Sequence, residues 1–160
     1  MSSSSLHYRQ NIIASIRIAG HQISDIVSHG GNHQIGNHIT ACFGTQVMVT
    51  MFDLPAALQF ADAWTAVEHQ WVYEYLPADL PGATSQHAAS TGPGLTVRAN
   101  GADKINARYD STSRTAQIRA GALTWIVQDR AAADSMLAAW RYIAQLAPVV
   151  LGPEQAPLPR

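Results

Sequence analysis

Along this chain, apolar positions first alternate with polar ones and then recur at helical spacing, and they do so twice. In the first pass QVMVTMF (46–52) reads as a strand, meets Asp53 and gives way to Ala57, Phe60, Trp64, Val67 and Trp71. In the second, ALTWIVQ (122–128) meets Asp129 and gives way to Ala133, Met136, Trp140, Ile143 and Ala147. A period of two marks one face of a strand, and steps of three and four mark one face of a helix. Asp53 and the stripe through Val67 each stand 76 residues from their counterparts. Strand, acidic cap and stripe in common register imply one structural unit present twice.

The segments upstream extend the match. QNIIASIRIA (10–19) alternates around Ile16 and Ile18, and HQISDIVS (21–28) and HQIGNHITACF (33–43) flank a hairpin turn at HGGN (29–32). A tight turn at Gly44-Thr45 leads into 46–52. In the second pass LTVRA (95–99) precedes an Asn100-Gly101 turn, and KINARYD (104–110) and RTAQIRA (114–120) flank a hairpin at Ser111–Ser113. Asp53 and Asp129 are placed to cap the helices through backbone N–H groups of the first turn, and Pro55 sits where a missing N–H costs little. The first helix ends at Leu76-Pro77, and the second is expected from about Arg130 to Leu146.

The pattern therefore predicts an α+β fold of two ββββα units. They are residues 10–76 and 94–147, joined by a Pro/Gly/Ser-rich linker at 77–93 and flanked by tails at 1–9 and 148–160. Each unit leaves an apolar helix stripe that the other can cover. The expectation is one pseudo-twofold body with antiparallel sheets and one helix per unit. This order of elements resembles the PUR-repeat and Whirly families, whose tandem units of four strands and a helix bind single-stranded nucleic acid on their sheets. The resemblance covers residues 10–147, rests on element order, and carries over no site residue.

Composition adds two constraints. Hydrophobic residues make up 47% of the 160 and charged ones only 13%, a balance that predicts covered apolar surface and hence a homo-oligomer or a docked protein partner. Cys42 is the sole cysteine, which excludes an internal disulfide framework and fits a reducing, cytoplasmic setting. No run reaches the roughly 18 apolar residues of a membrane span, and the short apolar patch at 11–20 is interrupted by Arg17, unlike a signal peptide. No membrane partner is expected.

Charge changes the functional picture most. The net value of −1 combines +1 over residues 1–52, −5 over 53–93, +3 over 94–121 and zero beyond. The basic residues fall on predicted strands. If Ile105, Ala107 and Tyr109 face the core, alternation puts Lys104, Asn106 and Arg108 on the open face. The same parity exposes Arg98, Arg119 and, in the first unit, Arg17. A row of cations on a sheet suits a phosphate backbone, so Arg17, Arg98, Lys104, Arg108 and Arg119 are the candidate contacts to single-stranded nucleic acid. The bland reading of the same residues is a solvated strand face, and the aromatics (Phe60, Trp64, Trp71, Trp125, Trp140) read as core.

Two other constellations remain. His29, His33 and His38 cluster about the first hairpin turn, where neutral imidazoles can ligate zinc, nickel or copper, although no Cys, Asp or Glu pattern completes a four-ligand set. Cys42 and His38 share a strand face, but four extended residues span roughly 13 Å, too far for a thiolate–imidazole pair. Cys42 lies between Ala41 and Phe43, where a small buried residue is expected. With no phosphate loop, nucleophile elbow or Cys-x-x-Cys motif, neither an enzyme nor a cofactor is predicted.

Overall fold

The computed structural model describes residues 14–30, 36–44, 47–69, 75–78, 80, 94–101 and 104–152, with the side chains of 67–69 excepted. The elements run β1 (Ala14–Ile18), β2 (Ser24–His29), β3 (His38–Phe43), β4 (Val47–Met51), α1 (Leu54–His69), β5 (Leu95–Ala99), β6 (Ile105–Asp110), β7 (Thr115–Ala120), β8 (Leu123–Val127) and α2 (Arg130–Leu151). This is the expected α+β order. The second helix continues past Leu146 and through Pro148, so residues 148–151 are helix rather than tail.

Each half forms an antiparallel three-strand meander, β2-β3-β4 and β6-β7-β8. The fourth place in each sheet is filled from the other half. β1 adds to β8 in parallel, with Ile16 opposite Trp125, and β5 adds to β4 in parallel, with Val97 opposite Val49. The two four-stranded sheets are therefore β1-β8-β7-β6 and β2-β3-β4-β5. The helices cross over as well: α1 packs on β6 and β7, α2 packs on β2 and β3, and the two helices pack together. Each half thus supplies both an outer strand and a cover to its partner's meander.

The capping aspartates hold this exchange. Asp129 accepts the Ala132 N–H at 2.8 Å, as a cap does, and also the Gly20 N–H, at 3.0 and 2.9 Å to its two oxygens. It takes a further N–H from Leu80 at 3.1 Å and is fully buried. Asp53 repeats the device on a smaller scale, accepting from Ala56 at 2.8 Å and Gly101 at 2.6 Å. Gly20 and Gly101 follow the two exchanged strands with φ of 71° and 66°, a left-handed turn that side chains resist and glycine adopts freely. Gln22 and Gln59 complete the two joints: the Gln22 N–H donates to Ser135 Oγ at 2.9 Å, and Gln59 Nε2 donates to Gly101 O at 3.1 Å. Each aspartate ties a helix of one half to the strand that the same half receives.

Between the sheets lies a core in which the aromatics of both halves meet. Phe60 stacks on Trp140 at 5.0 Å, Phe43 lies 5.1 Å from Trp140 and edge-on to Trp125 at 5.5 Å, and Trp64 reaches Trp125 at 6.0 Å. The indole N–H groups of Trp64, Trp125 and Trp140 are buried without a hydrogen-bond partner among the described residues. Leaving an N–H unpaired costs about 1–3 kcal/mol. Burying roughly 200 Å² of ring contributes about 5 kcal/mol, so packing wins at each tryptophan. Trp71, also expected in the core, lies outside the described residues. Among the described residues no helix is long and apolar enough to cross a membrane.

Candidate functional site

With a helix against one face, each sheet keeps one face open, and strand alternation decides which side chains occupy it. On β1-β8-β7-β6 the inward residues are Ile18, Leu123, Trp125, Val127, Ala116, Ile118 and Ala107, all buried. The outward ones form two rows across the strands. One row is Ser15, Thr124, Arg119 and Asn106, and the other is Arg17, Ile126, Gln117 and Arg108. Strands about 4.8 Å apart put Arg17 and Arg108 some 14 Å from each other, measured across the sheet.

Two of the guanidinium groups on this face, those of Arg108 and Arg119, are held by neutral partners. Arg108 donates from Nε at 3.1 Å and Nη2 at 2.7 Å to Gln117 Oε1, which fixes the fork without cancelling its charge. Arg119 donates from Nε to Gly121 O at 3.1 Å. A recess of about 280 Å³ lies between them, lined by Ser15, Asn106, Arg108, Gln117, Arg119 and Thr124. Asp110, at the end of β6, is a nearby carboxylate. Its carboxyl is held below the usual range, first by the Ser113 hydroxyl and then by the Thr112 N–H at 3.0 Å, with the charge of Arg108 adding to the effect. Lys104 is exposed just before β6. Beside β1, a wider groove of about 710 Å³, lined by Arg17, Ile126, Val47 and Leu95 among others, separates this face from the start of β5.

The open face of β2-β3-β4-β5 has a different chemistry on the same frame. Its rows are Asp25, Cys42, Met48 and Thr96, then Val27, Thr40, Thr50 and Arg98. At one end, rings from β2, from β3 and from the residue that follows β4 line up. His29 and His38 stack at 4.4 Å with planes 15° apart, His38 lies 5.6 Å from Phe52, and the Arg98 guanidinium sits 5.1 Å above the Phe52 ring. His29 and His38 cover one face of each other, and the Arg98 guanidinium covers one face of Phe52.

The candidate residues of the sequence therefore divide. Arg17, Arg108 and Arg119 share one face with Lys104 near its end, whereas Arg98 belongs to the other sheet. His29 and His38 come together, and His33 lies outside the described residues. Cys42, expected in the core, is half-buried on the open face, because Ile39, Ala41 and Phe43 take the inward positions of β3. Burial first and the Asp25 charge second push its thiol pKa up, away from the thiolate a nucleophile needs. Ile105, expected inward, is 41% exposed, because β6 is an edge strand.

Three residues were missed by the sequence reading. Gln117 orients Arg108, and its signal was its outward parity between Ala116 and Ile118. Phe52 ends the apolar run 46–52, and its signal is parity: Met51 points inward, so the next residue must point out. Gly20 carried no signal, because its partner Asp129 is 109 residues away.

Chemically, the first face presents guanidinium, amide and hydroxyl donors to an anion. Among the described residues no three His, Cys, Asp or Glu side chains gather at one point. No protein-family model, curated protein or solved structure matches this chain.

Proposed function

We propose that this chain is a non-catalytic binding domain that holds single-stranded nucleic acid along the open face of β1-β8-β7-β6. Arg17, Arg108 and Arg119 contact phosphates, with Lys104 at the end of the row. The observation that carries this reading is the pair of outward rows across that sheet, in which three guanidinium groups stand among amide and hydroxyl donors and one isoleucine, Ile126. Phosphate contacts supply affinity, and unpaired bases offer edges that Asn106 and Gln117 can hydrogen-bond. The single cysteine fits the reducing environment of the cytoplasm, where such a domain would work.

The test is fluorescence anisotropy of labelled single-stranded and duplex oligonucleotides, titrated with the protein at low and moderate salt. Preferential, salt-sensitive binding of single strands is expected. No binding at micromolar protein in low salt sinks the proposal.

One observation favours a second reading, self-association. β2 is an edge strand that exposes Val27 at 43%, and Ile23 just before it is 42% exposed. An apolar, unpaired edge is a template for a second strand. A solution mass above 17.2 kDa that falls on Val27→Lys would support it. A monomer at all concentrations would remove it.

A further inference from the structure

The imidazole pair on the second sheet is not used by the proposed interface, and its geometry has its own consequence. His29 and His38 are directly opposite in the β2–β3 register, both on the open face, with ring centroids 4.4 Å apart and planes within 15°. His38 Nδ1 lies 3.2 Å from Gly36 O. A carbonyl oxygen only accepts, so in the neutral ring Nδ1 carries the proton and Nε2 keeps the lone pair that a metal needs. A backbone carbonyl on the far ring nitrogen is the usual way a ligating histidine is oriented. His29 is exposed on an edge strand, so its ring turns at little cost.

Two nitrogens on one metal, each about 2.0–2.1 Å from it, stand roughly 3 Å apart. The lone pair of each imidazole lies in its ring plane, so the stacked rings cannot share a metal as they stand; His29, exposed on the edge strand, must turn out of the stack to bring its nitrogen within that distance of His38 Nε2. By strand order Phe52 stands between the imidazoles and the Arg98 guanidinium, which keeps that cation off the pair. No third His, Cys, Asp or Glu joins them among the described residues.

We propose that His29 and His38 form a two-imidazole site for a borderline divalent cation, with its remaining coordination positions open to water. Nitrogen ligands without thiolates or a carboxylate favour copper(II), then nickel(II) and zinc(II), following the affinity order of these ions. The site is independent of the nucleic-acid reading, since it lies on the other sheet and shares no residue with it.

The test is a copper(II) titration of the full chain followed by electron paramagnetic resonance, with His29→Ala, His38→Ala and the double variant alongside. The expected result is a tightest site holding one copper per chain with two equivalent nitrogens. Either single substitution should weaken it tenfold or more, and the double should weaken it little further than the worse single, because the two ligands act as one chelate. His29→Gln, which keeps a polar side chain on the strand, should lose binding as alanine does while its thermal transition stays in place. Unchanged affinity and nitrogen count in the double variant would overturn the proposal and assign the copper to the five other histidines. So would a one-nitrogen spectrum in the unmodified chain.

Discussion

The two sheets occupy equivalent places in one pseudo-twofold frame, yet their open faces have little in common. Arg17 on β1 and Arg98 on β5 are 81 residues apart and hold the same position in the frame. Around Arg17 the face adds Asn106, Arg108, Gln117 and Arg119. At the corresponding places around Arg98 stand Asp25, Val27, Thr40 and Cys42. The inward residues do one job in both halves, filling a shared core, and the exchanged strands are clamped in both by an aspartate and a left-handed glycine. Packing constrains the inside of a repeated unit to stay alike, whereas the solvated face is free to acquire a charge pattern. The difference between the faces is therefore where function should be sought, and their likeness is where stability should be.

The largest effect should come from separating the halves. Residues 10–76 and 94–160 made as two chains each lack the fourth strand of a sheet and the helix that covers it. Neither should show a cooperative thermal transition by circular dichroism, and a cooperative transition in either alone would break the account of exchange. Next in size is the clamp. Asp129→Ala strands the N–H groups of Gly20, Leu80 and Ala132, and should cost about 3 kcal/mol in a denaturant titration. Asp53→Ala strands two N–H groups at a less buried site and should cost about 1–2 kcal/mol. Equal losses would show that burial does not set the worth of these caps.

The exchange was the part of the fold that the sequence did not disclose. Ile16 and Ile18 facing in, with Arg17 facing out, specify the faces of β1 but not its neighbour, and nothing local selects β8 over β2. The partner becomes evident only from the register of residues 109 apart in the chain. The aspartates were legible as caps because capping is local. Their second role was not, because Gly20 and Gly101 lie far away in sequence. For the candidate site, parity alone gave the outward positions of Arg108 and Arg119, but which cations share a sheet depends on the exchange. Arg98, from the second unit, is carried onto the sheet of the first, while Arg17 makes the opposite journey.

Smaller effects sharpen the contrast between the faces. Arg108→Ala and Arg119→Ala should each weaken single-stranded oligonucleotide binding about tenfold, as loss of a charge-assisted contact of roughly 1.5 kcal/mol implies. Thr40→Ala on the other sheet should leave binding unchanged. Asp110→Asn should tighten binding by less than threefold, since it removes the carboxylate beside Arg108. The Ser113 hydroxyl, the Thr112 N–H and the charge of Arg108 hold the Asp110 carboxyl below the usual carboxylate range, so its charge persists into acid conditions. Any contribution it makes to the Ser111–Arg114 turn is present above the unfolded pKa and is lost only as pH falls through the folded one. Between pH 5 and 7 Asp110 should add no pH dependence to binding, and a carboxylate-like step there would contradict its assignment.

The most direct test is the salt dependence of single-strand binding in the Arg108→Ala/Arg119→Ala double variant, set against Arg98→Ala and the unmodified protein. Each phosphate neutralised contributes a slope of about −0.7 in log K against log salt. The account predicts that the double variant loses about 1.4 from the slope, while Arg98→Ala keeps the slope of the unmodified chain. A double variant with an unchanged slope, or an Arg98→Ala that loses as much per residue, would contradict the assignment of binding to the β1-β8-β7-β6 face.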